Sequence, residues 1–301
     1  MQYVCIDIGG TAIKYGLMDG ENGLKMTGEL PTEAQKSGGA GIMRKVERLV
    51  ESFLPHRPAG ICISTAGMVD SEKGCITYAA PLIPQYTGTE IKPMLERRFS
   101  IPCEVENDVR CAALAEHRSG AAQGTQSSVC LTVGTGIGGA VVLHGKVLHG
   151  KVLHGFSGSA GEIGYLKLPH GDFQDLASTG ALVGAVAREK GIAPDVIDGK
   201  WVFAQAQQGD EICRRAIDRL ADTLGMGIAN LCYVLNPEVV VVGGGIMAQR
   251  EYLYPRLRQS MERYLLPAVA AHTRLAFAVH QNHAGLYGAY YHFCSKHTAE
   301  S

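Results

Sequence analysis

The sequence predicts an α/β protein built as two related halves, and three observations carry that prediction. Strand-like and helix-like segments alternate along the chain, the pattern of layered α/β folds. A strand, a glycine turn and a second strand occur twice, near residue 8 and again near residue 134. Of the 301 residues, 46% are apolar and 19% charged, enough to bury a sizeable core. At roughly 150 residues per domain, the length accommodates two such halves.

Residues 1–8 read as a strand ending in Asp7-Ile8-Gly9-Gly10-Thr11, and residues 12–18 return toward Asp19-Gly20-Glu21-Asn22-Gly23, the pattern of a hairpin. Ile42, Met43, Val46, Leu49, Val50 and Phe53 recur at helical spacing and predict a helix over 41–54. A short apolar strand over 59–64, a helix over 90–99, a strand over 103–106 and a helix over 108–117 follow. The pattern then restarts with strands over 129–133 and 140–143 around a glycine loop. Residues 211–235 place Ile212, Ala216, Leu220, Leu224, Ile228, Leu231 and Leu235 on one helix face, and Asn236-Pro237 stops that helix. Residues 239–242 are too apolar for anything but a central strand. Gly243-Gly244-Gly245, a helix, a strand over 275–279 and a last helix from Gly285 complete the chain.

Residues 144–155 hold a tandem pentad, His-Gly-Lys-Val-Leu twice and then His-Gly. Five is odd, so an added copy would turn later strand residues to the opposite face unless a loop or bulge absorbs it. An extruded loop is the expectation.

Composition removes several function classes. With 28 Lys+Arg against 29 Asp+Glu, the net charge of −1 gives no reason to expect a nucleic-acid or membrane-surface partner. No apolar run reaches 18 residues, and no basic segment precedes the first apolar residues, so neither a membrane span nor a signal peptide is expected. Nine scattered cysteines in no Cys-x-Cys or Cys-x-x-Cys arrangement argue against a disulfide framework or a zinc site. Reduced, buried thiols in a cytoplasmic protein are expected.

Glycine is the informative excess, with 38 residues, and it collects at three strand ends. In Asp7-Ile8-Gly9-Gly10-Thr11, amides freed by the glycines can approach phosphate oxygens and Thr11 can donate to them. Asp7 can hold Mg²⁺ through water. The alternative is an ordinary hairpin turn. Gly134, Gly136 and Gly139 satisfy a dinucleotide-binding spacing, but that motif needs a helix next, and Ala140-Val141-Val142-Leu143 is strand-like. A second phosphate clamp bearing Thr135 fits better. At Gly243-Gly244-Gly245 a flat ligand can lie against the backbone; the alternative is a helix-entry turn. Asp108, between strand and helix, is either the helix N-cap or a general base that takes a proton from an attacking hydroxyl. A Walker-type Gly-Lys-Ser/Thr loop is absent.

Taken in order, Asp7 to Thr11, Ser64-Thr65-Ala66-Gly67-Met68-Val69-Asp70, Glu106 to Asp108, residues 131–139, 158–164 and 239–245, and Ala284-Gly285-Leu286-Tyr287-Gly288-Ala289 resemble the successive motifs of the ROK family. That family comprises sugar kinases and sugar-responsive repressors. The resemblance implies a two-lobed hexokinase/actin-like ATPase (ribonuclease H-like) fold with a central cleft. One lobe would hold residues 1–117 and 285–301, the other 118–284. It also implies ATP-dependent phosphorylation of a sugar hydroxyl, with Asp108 as base and Asp7 near Mg²⁺. Gly9, Gly10, Thr11, Lys14, Gly134, Thr135 and Gly136 would lie at the phosphates, and Gly243, Gly244 and Gly245 at the adenosine. Ala66, Gly67, Asn107, Asp108, Glu162 and Tyr165 would contact the sugar. A cytoplasmic homodimer is the family's usual form.

Departures from the family narrow the substrate. Many members carry a His after Gly-Glu-Ile-Gly and then a Cys-x-Cys-Gly-x-x-Gly-Cys zinc motif. Here that position is Tyr165, and residues 166–177 contain no cysteine, so no zinc site is expected. Tyr165 could contact a sugar or fill core space. The Asn-Leu-Pro-Gly-Trp stretch of the family's glucokinases is replaced by Ala80-Pro81-Leu82-Ile83-Pro84-Gln85-Tyr86. Together these departures resemble the family's β-glucoside kinases, which phosphorylate the 6-hydroxyl of the non-reducing glucose of cellobiose-like sugars. An N-acetylmannosamine kinase or a glucokinase is the alternative. A non-catalytic sugar-sensing regulator would need a helix-turn-helix, and Asp7 follows Met1 too soon for one.

Overall fold

A computed structural model describes residues 1–20, 23–79, 83–143 and 151–297. The chain divides into two units, one of Met1–Gly120, His154–Ala160 and Asn282–Ser301, the other of Ala121–Leu153 and Gly161–Gln281.

The first unit begins with the expected hairpin, β1 (Gln2–Ile8) and β2 (Ala12–Asp19), extended by β3 (Gly23–Pro31). Next come α1 (Ala34–Phe53), β4 (Gly60–Thr65), the short β5 (Met68–Asp70) and β6 (Cys75–Tyr78), α2 (Ile91–Phe99), β7 (Cys103–Asn107) and α3 (Asp108–Ser119). The sheet order is β3-β2-β1-β4-β7. β1 pairs antiparallel with β2 but parallel with β4, and β4 parallel with β7. Every residue of β4 is buried, as an interior parallel strand requires. The first helix starts earlier than its apolar spacing predicts, because Gly38 (φ 54, ψ −170) breaks it into a short entry and a longer body. That break lets the Gly39 amide donate to the Pro84 carbonyl at 2.9 Å.

In the second unit the elements are β8 (Ser127–Val133), β9 (Ile137–Leu143), β10 (Lys151–Val152), β11 (Lys167–Leu168), β12 (Gly171–Asp172), α4 (Phe173–Ala177), α5 (Thr179–Lys190) and α6 (Gly199–Gln207). They continue with α7 (Glu211–Leu235), β13 (Val239–Gly243), α8 (Arg250–Tyr264), α9 (Pro267–Ala270) and β14 (Arg274–Phe277). The sheet order is β10-β9-β8-β13-β14, with the same strand directions as in the first unit. The repeated strand–glycine–strand pattern is therefore a repeated topology. β9 begins three residues before the predicted strand, since Gly138 and Gly139 already pair with Thr132 and Leu131. Helix α7 spans the predicted residues. The Asp210 carboxylate caps its start by accepting from the Cys213 amide at 2.9 Å, and Asn236 (φ 44) ends it in the left-handed conformation.

The chain then returns to the first unit as α10 (Ala284–His297), which packs on α3, β1 and β4. Leu286, Ala289 and Phe293 bury themselves there with Cys5, Met18, Cys62 and Cys111. The nine cysteines are free thiols. Among the described residues no helix is long and apolar enough to cross a membrane.

The expected loop of the pentad repeat falls largely on residues 144–150, outside the described residues, as do 21–22 of the first hairpin turn and Ala80, Pro81 and Leu82 of the altered stretch. On either side of 144–150, Leu143 pairs with Lys151 and Val142 with Val152.

Candidate active site

The carboxyl ends of β1, β4 and β7 lie side by side and bring the predicted residues of the first unit together, as open parallel sheets do with their ligands. Asp7, near the end of β1, pairs with Lys14 on β2 and Ser64 on β4. The Ser64 hydroxyl donates to Asp7 Oδ1 at 2.7 Å. Burial pushes the Asp7 carboxyl above the ordinary range, against the lowering pull of Ser64 and Lys14. Gly9, Gly10 and Thr11 form the β1–β2 turn, held by Thr32, whose hydroxyl donates to the Gly9 carbonyl at 2.7 Å. A Cβ on Gly10 would meet nothing within 4 Å, so this part of the turn is open to a ligand. Ala66 and Gly67 follow β4, with Gly67 at φ +101.

Asn107, not Asp108, is the N-cap of α3. Its Oδ1 accepts from the Val109 and Arg110 amides at 3.0 and 3.1 Å. Its amide donates to the Gly67 carbonyl and to Asp108 Oδ1, both at 2.9 Å. Capping is thus done by the neighbour, and Asp108 in the first turn is free for chemistry. Burial, and then the charge of Asp7, push the Asp108 carboxyl up to about 7, despite bonds from Val109 and Asn107. A carboxylate poised near neutrality is suited to accept a hydroxyl proton.

Glu106 lies just behind this pair and is fully buried. Its Oε1 accepts from the Asn107 amide at 2.8 Å, its Oε2 lies 2.6 Å from His154 Nε2, and Arg110 Nη1 is 3.5 Å from Oε1. Burial would raise its pKa. The His154 hydrogen bond and the charges of His292, His154 and Arg110 outweigh that and hold it below the ordinary carboxylate range.

In the second unit, Gly134, Thr135 and Gly136 form the turn between β8 and β9, closed by the Gly134 amide on the Gly136 carbonyl at 2.9 Å. A strand follows, so the dinucleotide spacing is fortuitous. Gly134, Thr135 and Gly245 line a cavity of about 410 Å³ with Thr179, Val183, Ile197, Lys200 and Phe203. Buried Thr179 Oγ1 finds no partner among the described residues. The three glycines after β13 divide in role. Gly245 faces the cavity, whereas a Cβ on Gly244 (φ +94) would fall 2.3 Å from the Val133 carbonyl oxygen, so Gly244 serves close chain packing. Neither Gly243 nor Gly136 lines the cavity. Glu162 precedes a short 3-10 turn, Ile163–Tyr165, that ends in Tyr165, and both side chains are exposed. At 52% exposure Tyr165 does not fill core space.

The cavity walls on α5, α6 and the segment between them carry no sequence signal, because Val183, Ile197, Lys200 and Phe203 belong to no motif. His154 and Arg110 carry none either. The nearest pointer to them is Glu106, one of two acids in the strand Cys103–Asn107. Among the described residues no group of three or more His, Cys, Asp or Glu could hold a metal ion. The Asp7 carboxylate, raised in pKa and adjacent in charge to Asp108, is a hard oxygen donor of the kind Mg²⁺ takes. The apolar cavity with an unpartnered hydroxyl fits a nucleoside.

The family model of the ROK family matches residues 3–295. The chain belongs to the ROK family. It is 50% identical, over 97% of both chains, to an uncharacterised protein of Clostridium perfringens. A β-glucoside kinase of Klebsiella pneumoniae is 31% identical over 97% of this ROK chain and 96% of its own. Among solved structures, a ROK glucokinase of Streptomyces griseus in complex with glucose and AMPPNP matches with a TM-score of 0.82 and 28% identity, covering 96% of this chain and 98% of that one. The fold is therefore the hexokinase/actin-like ATPase fold expected from the motifs. Carbohydrate kinase, the expected enzyme class, is the class for which the named relatives are known.

Proposed function

We propose that this ROK protein transfers the γ-phosphoryl group of ATP to the 6-hydroxyl of the non-reducing glucose of a β-glucoside such as cellobiose. Asp108 carries the reading: its carboxyl, held at the start of α3 with a pKa of about 7, is a general base for a sugar hydroxyl. Asn107, Ala66, Gly67, Glu162 and Tyr165 orient the sugar. The turn of Gly9, Gly10 and Thr11, closed by the Gly9 amide on the Ala12 carbonyl at 3.0 Å, receives the transferred phosphoryl with Lys14, and Gly134, Thr135 and Gly136 the remaining phosphates. Gly245 and the cavity beside it take the nucleoside, with Gly243 and Gly244 shaping that strand end. Asp7 would hold Mg²⁺ through water, and the ion would supply charge neutralisation between the phosphates.

Tyr165 in place of the family's His and the thiol-free segment 166–177 support the substrate. Homodimerisation and a cytoplasmic location complete the reading on the family resemblance. Light scattering on the purified protein tests the dimer.

A coupled assay with Mg²⁺-ATP over glucose, cellobiose, gentiobiose, N-acetylmannosamine, N-acetylglucosamine and fructose tests the substrate. The highest kcat/KM is expected for the β-linked disaccharides. Preference for free glucose or N-acetylmannosamine would overturn the β-glucoside assignment while leaving the phosphoryl transfer in place.

A further inference from the structure

The segment His154–Ala160 belongs to the first unit, although the chain on both sides of it belongs to the second. Its attachment is specific. Arg110 Nη2 donates to the Gly158 carbonyl, and to the Ala160 carbonyl at 3.3 Å. His154 Nε2 reaches Glu106 Oε2 at 2.6 Å and lies 3.3 Å from the Ser71 hydroxyl. The Ala160 amide closes the segment on the His154 carbonyl at 3.0 Å.

The two side chains that hold this segment are also, with His292 at 3.8 Å, the partners of Glu106. A buried carboxylate is costly unless paired, and removing one partner leaves that cost uncompensated. Glu106 in turn accepts from the Asn107 amide, and Asn107 both caps α3 and donates to Asp108. A continuous chain of bonds therefore runs from the segment to the candidate base.

We propose that His154 and Arg110 are positioning residues of the phosphoryl transfer: with Glu106 they clamp residues 154–160 beside Asn107 and Asp108, and so hold the start of α3 in its working geometry. This rests on the sugar-kinase reading above. Neither side chain touches the reacting atoms. Their effect is on the geometry of the groups that do.

The test compares His154→Ala with His154→Gln, whose amide can donate to the same Glu106 oxygen, in the full-length protein. Steady-state kinetics and backbone hydrogen exchange over residues 155–162 are read together. For His154→Ala, kcat/KM for the sugar is expected to fall about 10- to 100-fold while KM for ATP stays within about twofold. Exchange over 155–162 accelerates, and His154→Gln restores both readouts. Unchanged kinetics and exchange in His154→Ala would overturn the proposal. So would equal loss toward sugar and ATP with a lowered melting temperature and no rescue by Gln, the signature of a merely structural role. Should the wild-type protein phosphorylate none of the sugars, the kinase reading alone fails, and the exchange comparison still decides the clamp.

Discussion

Gly285, in the first turn of α10, approaches Asp7 so closely that a Cβ there would fall 2.4 Å from the carboxyl carbon and 2.6 and 2.7 Å from its oxygens. Only a residue without a side chain allows this approach. In Gly285→Ala the carboxylate must move, and a displacement near 1 Å at a reacting site costs about 100-fold in rate. A fall of that size in kcat, with a small change in melting temperature, is expected from kinetics and calorimetry. Unaltered kcat would remove Asp7 from the reaction.

Asp108 gives a signed dependence on pH. Its carboxyl must be ionised to accept a proton, so kcat/KM should rise with pH and level off above about 7. Asp108→Asn should lower kcat by about 10²- to 10⁴-fold while sugar binding persists, measured by calorimetric titration. Stability moves the other way. An unfolded aspartate titrates near about 4 and the folded one higher, so the native state holds its proton more tightly. Wild-type stability from this group is complete below about 4 and is lost as pH rises through about 7. Asp108→Asn should therefore melt above wild type by more at pH about 8 than at pH about 4.5. An equal difference at both values would contradict the raised pKa.

Helix packing sets a purely structural contrast. A Cβ on Gly288 would lie 1.8 Å from the Cys111 carbonyl oxygen, and backbone cannot yield as a flexible side chain does. Gly288→Ala should therefore destabilise the protein by about 1–3 kcal/mol as α10 and α3 are forced apart. Gly245 has open space around it. Gly245→Ala should leave the melting temperature unchanged and raise KM for ATP, because the added methyl enters the cavity proposed for the nucleoside.

The pentad repeat makes a prediction about dispensability. Because its copies are identical, deleting residues 144–148 or 149–153 yields the same protein. Either deletion leaves His-Gly between Leu143 and the lysine now paired with it, a two-residue hairpin connection that keeps the observed register. Turnover should be unchanged, with stability altered by no more than about 1 kcal/mol from the shorter loop. Loss of turnover in the deletion variant would assign the repeat a function.

Much of this architecture is legible in the amino-acid sequence. The strands β1, β2, β4, β7, β8 and β13 and the helices α3 and α7 announce themselves through local periodicity and end signals, which short-range physics fixes. The strand-end acids and glycines are legible for the same reason. What stays hidden depends on distance along the chain. Glu106 and His154 are 48 positions apart, and nothing in either neighbourhood encodes the other. The cavity walls on α5 and α6 are ordinary apolar helix residues until the fold gathers them around Thr135. At the helix boundary, Asn107 takes the capping role because its side chain reaches two amides, a choice that composition alone leaves open between two adjacent polar residues.

One consequence follows from the order in which α10 is made. A ribosome emits β1, β4 and α3 long before Gly285 and Phe293, so the nascent first unit waits with Cys5, Cys62 and Cys111 uncovered while the second is synthesised. Catalytic competence is thus a late event of biosynthesis. Truncation or a ribosome stalled before Ala284 would leave a chain with its motifs nearly all in place, yet prone to aggregation and without the helix that buttresses its first acid.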